Sequence, residues 1–183
     1  GSGRSELLHA MFGFGLERKG RVILYDSEQK SEAQVEINSP SEAVKNGIGL
    51  IAEDRKTQGI FANQMLSMNV TVAALGKLGN GLNALFPHRE KERTKQLISS
   101  LKIKCLGPTQ PIERLSGGNQ QKTLFARWLD VGASVLLLDE PTRGVDVESK
   151  LAIHRLLREL RDKGVALIIV SSEMDELTDL CDR

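Results

Sequence analysis

Two short apolar runs separated by one helical stretch constrain this chain more than any other feature. Val135-Leu-Leu-Leu138 and Val165-Ala-Leu-Ile-Ile-Val170 do not alternate with polar residues, and turn formers bound them. Such runs suit strands buried on both faces, as in a parallel sheet. Between them, Val147–Lys163 sets Leu151, Ile153, Leu156, Leu157 and Leu160 at mostly helical spacing and stops at Gly164. Strand, helix and strand over about 35 residues make a βαβ unit, so a parallel sheet with a right-handed crossover is expected.

The rest of the chain fits around that unit. Ser39-Pro-Ser-Glu42 has capping-box spacing with proline at the first helical position, predicting a short helix through Asn46. Gly47 then leads into Ile48-Gly-Leu-Ile51, another short apolar strand. Gly20–Tyr25 and Gln34–Ile37 alternate more and read as antiparallel strands with one wet face. Glu6–Phe12, Met68–Leu75, Arg89–Lys102 and Glu173–Leu180 read as helices, with a Gly/Asn-rich loop through Gly76–Asn83. Both ends are abrupt: no strand precedes the first helix, and Arg183 follows closely on the last one. A complete α/β domain is expected to continue in both directions.

Composition excludes several classes. Lys plus Arg number 25 against 24 Asp plus Glu, a net charge of +1, so no basic field exists to drive nucleic-acid or membrane-surface binding. The apolar runs are of strand length, far short of the roughly 20 residues that span a bilayer. No secretory signal opens the chain. Cys105 and Cys181 are too few for a disulfide framework and are expected to be buried or half-buried thiols of a reducing compartment.

Three segments carry chemistry. Val135-Leu-Leu-Leu-Asp139-Glu140 ends a buried strand in two carboxylates, at the edge where α/β sheets bind ligands. Asp139 there can hold Mg²⁺ and Glu140 can polarise an attacking water; alternatively Asp139 only caps the following loop. Leu115-Ser-Gly-Gly-Asn-Gln-Gln-Lys122 places Ser116 as N-cap of a helix beginning at Gly117, gathering free N–H groups at a positive dipole end. Two glycines there let another molecule's phosphates approach the backbone. The plainer reading is a glycine turn before an amphipathic helix, which Asp139-Glu140, starting 21 residues after Gly118, argues against. Finally, Gly1-Ser2-Gly3-Arg4-Ser5 reads as the second half of a phosphate-binding loop, with a glycine, a cation and a hydroxyl for Mg²⁺. Gly-Ser-Gly is also a common cloning scar.

A Leu-Ser-Gly-Gly-x-Gln helix start followed by an apolar strand ending in Asp-Glu resembles the signature and Walker B pair of ABC ATPases. Glu53-Asp-Arg-Lys56, Leu115–Lys122, Asp139-Glu-Pro-Thr-Arg-Gly-Val-Asp-Val147 and Val170-Ser-Ser-Glu173 narrow the likeness. Together they resemble the C-terminal nucleotide-binding domain of the duplicated ATPases that drive bacterial monosaccharide importers, such as those for ribose, galactose, xylose and arabinose. The likeness covers essentially the whole chain. It implies a P-loop NTPase-like α/β fold: a mostly parallel sheet flanked by helices, a small antiparallel β part, and a helical subdomain at roughly 62–128 carrying the signature.

Residue by residue, the resemblance implies that Gly1, Ser2, Gly3, Arg4 and Ser5 belong to the Walker A loop, with Ser5 and Asp139 toward Mg²⁺ and Glu140 catalytic. Ser116, Gly117, Gly118 and Gln120 match the signature, and Asp146 matches the D-loop aspartate that faces a partner domain. Glu53 stands where most ABC domains carry the Q-loop glutamine, and Ser172 where most carry the switch histidine. Arg4 replaces the usual lysine, and a planar guanidinium does not substitute for a compact ammonium. Losing both that lysine and the switch imidazole removes two groups that stabilise charge on the transferred phosphoryl. The implied ligands are ATP and Mg²⁺. The implied partners are a first nucleotide-binding domain on the same polypeptide, transmembrane permease subunits and, indirectly, a periplasmic sugar-binding protein. The implied place is the cytoplasmic face of the inner membrane. Two rival readings are a regulatory half without turnover and a non-transport ABC ATPase. The latter is expected to carry coiled-coil or basic insertions, which are missing between Glu53 and Leu115.

Overall fold

A computed structural model describes residues 3–15, 20–26, 31–74 and 87–182. Gly1, Ser2 and the loop expected over Gly76–Asn83 lie outside the described residues. Three strands form the parallel sheet, β3 (Ile48–Ile51), β4 (Val135–Asp139) and β5 (Ala166–Val170), in the order β3-β4-β5. Register pairs Ile48 with Val135 and Ile51 with Leu138, then Val135 with Ala166 and Asp139 with Val170. Because the strands are parallel, Ile51, Asp139 and Val170 all end at one edge. The central strand is the most apolar: Leu136, Leu137 and Leu138 are buried, which is why this run lacks alternation. β5 departs from the sequence expectation. It is the edge strand of the described sheet, and Ala166 and Ile168 are exposed rather than covered on both faces.

Helices pack onto this sheet: α1 (Arg4–Met11) against β4, α5 (Gly117–Val131) against β3, and α6 (Val147–Asp162) against β5, with α7 (Met174–Leu180) beside α6. Trp128 of α5 donates its indole N–H to the Leu50 carbonyl at 2.8 Å, fixing that helix over β3. β1 (Val22–Asp26) and β2 (Ser31–Val35) form the antiparallel pair, each shifted by a residue or more from the sequence expectation. The short helix α2 (Pro40–Lys45) is capped by Ser39, whose hydroxyl accepts from Glu42 N at 3.3 Å. The reciprocal bond of the capping box is displaced: the Glu42 carboxylate takes Asn38 N, one residue upstream, at 2.5 Å.

The helical part comprises α3 (Leu66–Thr71), continued by a 3₁₀ turn over Val72–Ala74, and α4 (Pro87–Ser100), both packed against α5. Arg127 is the buried tie. Its guanidinium donates to Asn69 O at 2.7 Å, to Gly59 O at 2.8 Å and to Asn69 Oδ1 at 3.3 Å, and it lies over Phe61. Burial without a carboxylate partner lowers its pKa to about 10, so it stays charged and its carbonyl contacts are charge-assisted. α5 thus starts in the helical part and ends beneath the sheet.

Candidate functional site

Asp139 closes β4 almost completely buried, and among the described residues neither of its carboxylate oxygens has a hydrogen-bond partner. A buried carboxylate without partners costs free energy that folding must supply elsewhere. The loop-capping alternative requires an Asp139 side-chain bond and fails. An orphaned carboxylate at a strand's C-terminal edge fits a hard divalent cation such as Mg²⁺. Ser5, in the first turn of α1 and half-buried, is the other oxygen donor that the sequence assigns there. It follows Gly3, which caps α1 in the left-handed region at φ 73°.

Glu140, one residue on, is held at φ 50°, a conformation that costs a non-glycine residue about 1–2 kcal/mol. Its N–H donates to Val170 O at 2.8 Å, and Ser172 Oγ donates to its Oε2 at 3.1 Å. Sequence-distant Glu140 and Ser172 are therefore direct partners at the sheet edge. Glu53, just beyond β3, is engaged differently: its carboxylate forms an ion pair with Arg143.

The signature segment begins its helix at Gly117 behind Ser116, as its sequence reading has it, and its side chains are engaged within the chain. Ser116 occupies the N-cap position of α5, but its hydroxyl caps no N–H; it accepts instead from Asn119 Nδ2 at 2.8 Å. The glycines are required by the chain itself. A Cβ on Gly117 would lie 2.5 Å from Arg55 Nη2, and one on Gly118 would lie 2.0 Å from Ser149 Oγ and 2.3 Å from Ser149 Cβ. Gln120 is buried, donating to Ile112 O at 3.3 Å, so its side chain supports the helix start from below.

Asp146 likewise serves its own helix. Its carboxylate caps α6, accepting from Ser149 N at 2.9 Å and Ser149 Oγ at 2.7 Å, and these bonds hold its pKa below the ordinary aspartate range. Ser149 is the residue that Gly118 packs against, so the loop after β4 and the signature share one contact point. Beside them opens a cleft of about 440 Å³ lined by Arg55, Lys56, Leu115, Gly117, Gln120 and Gly144 among others; Ser5, Asp139 and Glu140 do not line it.

Sequence reasoning missed a buried polar cluster behind Glu140 and Ser172. Glu176, on the inner face of α7, accepts from Thr142 Oγ1 at 2.7 Å and meets His154 Nε2 at 2.9 Å; His154 Nδ1 faces Asp179 at 3.2 Å. Burial alone pushes the Glu176 carboxyl up, but hydrogen bonds from Ser171, Thr142 and His154 outweigh it and hold the group below the usual value of 4.5. A depressed carboxylate pKa stabilises the fold above its unfolded value and loses that contribution as pH falls. Wild type is therefore expected to exceed Glu176→Gln in unfolding free energy by about 1–3 kcal/mol at neutral pH. Urea titrations should show that gap closing as pH drops below 4.5. The sequence sign was a carboxylate four residues before Leu180, on a face that is otherwise buried. Among the described residues the two thiols sit apart, Cys105 half-buried and Cys181 exposed, the latter against expectation. No described helix is long and apolar enough to cross a membrane.

The ABC transporter family model matches residues 1–143. A ribose import ATP-binding protein of Rhizobium meliloti (strain 1021) is 42% identical over 183 residues, covering 100% of this chain and 35% of its own length. One from Bacillus subtilis (strain 168) is 40% identical over 184 residues, covering 100% of this chain and 36% of its own length. The chain thus spans about a third of the length of these relatives. A nucleotide-free ATP-binding cassette from an ABC transporter superposes with TM-score 0.76 at 19% identity, over 99% of this chain and 70% of that one. A dimeric cassette in a post-hydrolysis state bound to ADP and Pi gives 0.73 at 18% identity, over 97% and 73%.

Proposed function

This chain belongs to the ABC transporter family, and on that basis we propose that it is one nucleotide-binding domain of a two-domain ATPase powering sugar import. The observation that carries the reading is Asp139: a buried carboxylate with two unpartnered oxygens, followed directly by a strained Glu140 that Ser172 holds. The identity to ribose import ATP-binding proteins favours a sugar as cargo. The packing of α1 against β4 supports Ser5 and Asp139 as the holders of Mg²⁺, and by resemblance Gly1–Arg4 would cradle the phosphates of ATP. When bound, Mg²⁺ would draw negative charge from the phosphate oxygens. Glu140 orients and deprotonates the attacking water, and Ser172 fixes the carboxylate that does so. Residues of roughly 62–128 form the helical subdomain, and Glu53 links the sheet edge to permease subunits at the cytoplasmic face of the membrane. A periplasmic sugar-binding protein would deliver the cargo.

The signature is assigned to a different ATP. Gly117 and Gly118 lie beside Gly144 and Ser149, at a cleft that Gly3, Arg4, Ser5, Asp139 and Glu140 do not line among the described residues. On this reading the signature completes the site of the partner domain in a head-to-tail pair, with Asp146 facing that partner. With Arg4 for lysine and Ser172 for histidine, this domain's own site is the slower of the two. The test is the full-length two-domain protein reconstituted with its permease in vesicles. ATP- and Mg²⁺-dependent sugar uptake is expected; hydrolysis with no uptake of any monosaccharide removes the transport reading.

A further inference from the structure

Arg55 stands in a segment that the sequence marks as distinctive, Glu53-Asp-Arg-Lys56, yet it takes no part in the chemistry at the sheet edge. It opens a π-helical turn, Arg55–Gly59, whose entry is fixed by Asp54: that carboxylate accepts from Lys56 N at 2.9 Å and Thr57 N at 3.3 Å. From there the guanidinium reaches across the fold. Nη1 donates to Arg143 O at 2.8 Å and Nη2 to Gly144 O at 3.0 Å, partners 88 and 89 residues away. Two adjacent carbonyls are thus held by one planar fork, a geometry that a lysine ammonium cannot reproduce. The Glu53–Arg143 ion pair joins the same two segments a second time.

The third segment at this point is the signature. A Cβ on Gly117 would stand 2.5 Å from Arg55 Nη2 and 3.2 Å from Gly144 O, so the first signature glycine rests against the guanidinium and the carbonyl it binds. Among the described residues Arg55 Nε is buried without a partner, so the two carbonyls supply the hydrogen bonds of the cation there. We infer that Arg55 is a positioning residue: it seats the N-terminus of the signature helix against the loop after β4, and hydrolysis at the partner's ATP site depends on that seat. The inference rests on the reading that the signature acts on the partner domain's nucleotide.

The experiment uses the full-length two-domain protein with Arg55→Ala, Arg55→Lys, Gly117→Ala, Arg55→Ala/Gly117→Ala and, as control, Ser116→Arg, measuring kcat and KM for ATP. Arg55→Ala is expected to lower kcat on the order of tenfold or more with KM within about twofold, because the group acts on the assembled site and not on nucleotide capture. Arg55→Lys is expected to recover little of this, since a point charge serves one carbonyl at a time. Gly117→Ala should lower kcat in the parent background yet add little to Arg55→Ala, where the new methyl occupies the space the guanidinium has left. Full activity of Arg55→Lys, or additive losses in the double variant, overturns the inference. If Ser116→Arg leaves hydrolysis intact, the trans reading of the signature falls instead. Arg55→Lys keeps charge and bulk, so it decides the question even if Arg55→Ala folds poorly.

Discussion

Replacing Gly118 with alanine is expected to lower ATP hydrolysis by the full-length two-domain protein on the order of a hundredfold. The new Cβ would lie 2.3 Å from Ser149 Cβ as well as 2.0 Å from its hydroxyl. Ser149 cannot retreat by a rotamer change, because its Cβ is fixed by the first turn of α6 and its N–H and hydroxyl are both bound to Asp146. Closely packed elements transmit such strain instead of absorbing it. The start of α5 must therefore move relative to α6, taking Ser116 and Gly117 with it. A displacement near 1 Å is enough to cost about two orders of magnitude in a site that works by positioning. Gly118→Ala/Ser149→Gly removes the obstructing Cβ and should recover most of the loss in steady-state kinetics. Failure of that rescue would mean that Gly118 is needed for the ligand's approach and not for its own chain.

The second large effect concerns Asp139 and runs in two directions. Its carboxylate is 1% exposed and, among the described residues, both of its oxygens lack hydrogen-bond partners, so folding buries an unsatisfied polar group there. Asp139→Leu replaces it with an apolar side chain of the same branched shape, though bulkier, beside Leu137 and Leu138. The variant is expected to be more stable to denaturant by about 1–4 kcal/mol, as when buried ionic groups give way to packed apolar ones. The same change should abolish Mg²⁺-dependent nucleotide binding at this domain's own Walker loop. Both halves can be read in one experiment, urea unfolding with and without ATP and Mg²⁺. Wild type should gain stability from the ligands by mass action and Asp139→Leu should not. A variant less stable than wild type without ligands would show that Asp139 is a structural residue.

The two effects mark what the sequence can convey. β4 and its terminal acids are legible because an apolar run of four ended by two carboxylates has few other homes in a parallel sheet. The start of α5 is legible from Ser116 and the two glycines after it, and α6 and the βαβ order from periodicity and from Gly164 as a stop. The exposure of Ala166 and Ile168 is not, because an apolar run carries no information on what lies beside its strand. The signature glycines stand out in the sequence, but their crowding by Arg55 and Ser149, which are 62 and 31 residues away in sequence, does not. The resemblance implies that Asp146 faces a partner domain, but nothing in it announces that the same carboxylate also caps α6. The His154–Glu176–Thr142 cluster joins three segments, so no local pattern announces it. Long-range polar contacts are set by tertiary packing, and single-sequence patterns report mostly local and apolar constraints.

If the two ATP sites are unequal, this domain gives a complete signature to its partner and keeps a slow site built on Arg4, Asp139, Glu140 and Ser172. Single-turnover hydrolysis by the full-length protein tests this without intermediaries, comparing Glu140→Gln with the same change at the corresponding glutamate of the other domain. Unequal sites require that Glu140→Gln leave most of the turnover, whereas the change in the other domain removes nearly all of it. An equally deep loss from Glu140→Gln would contradict them.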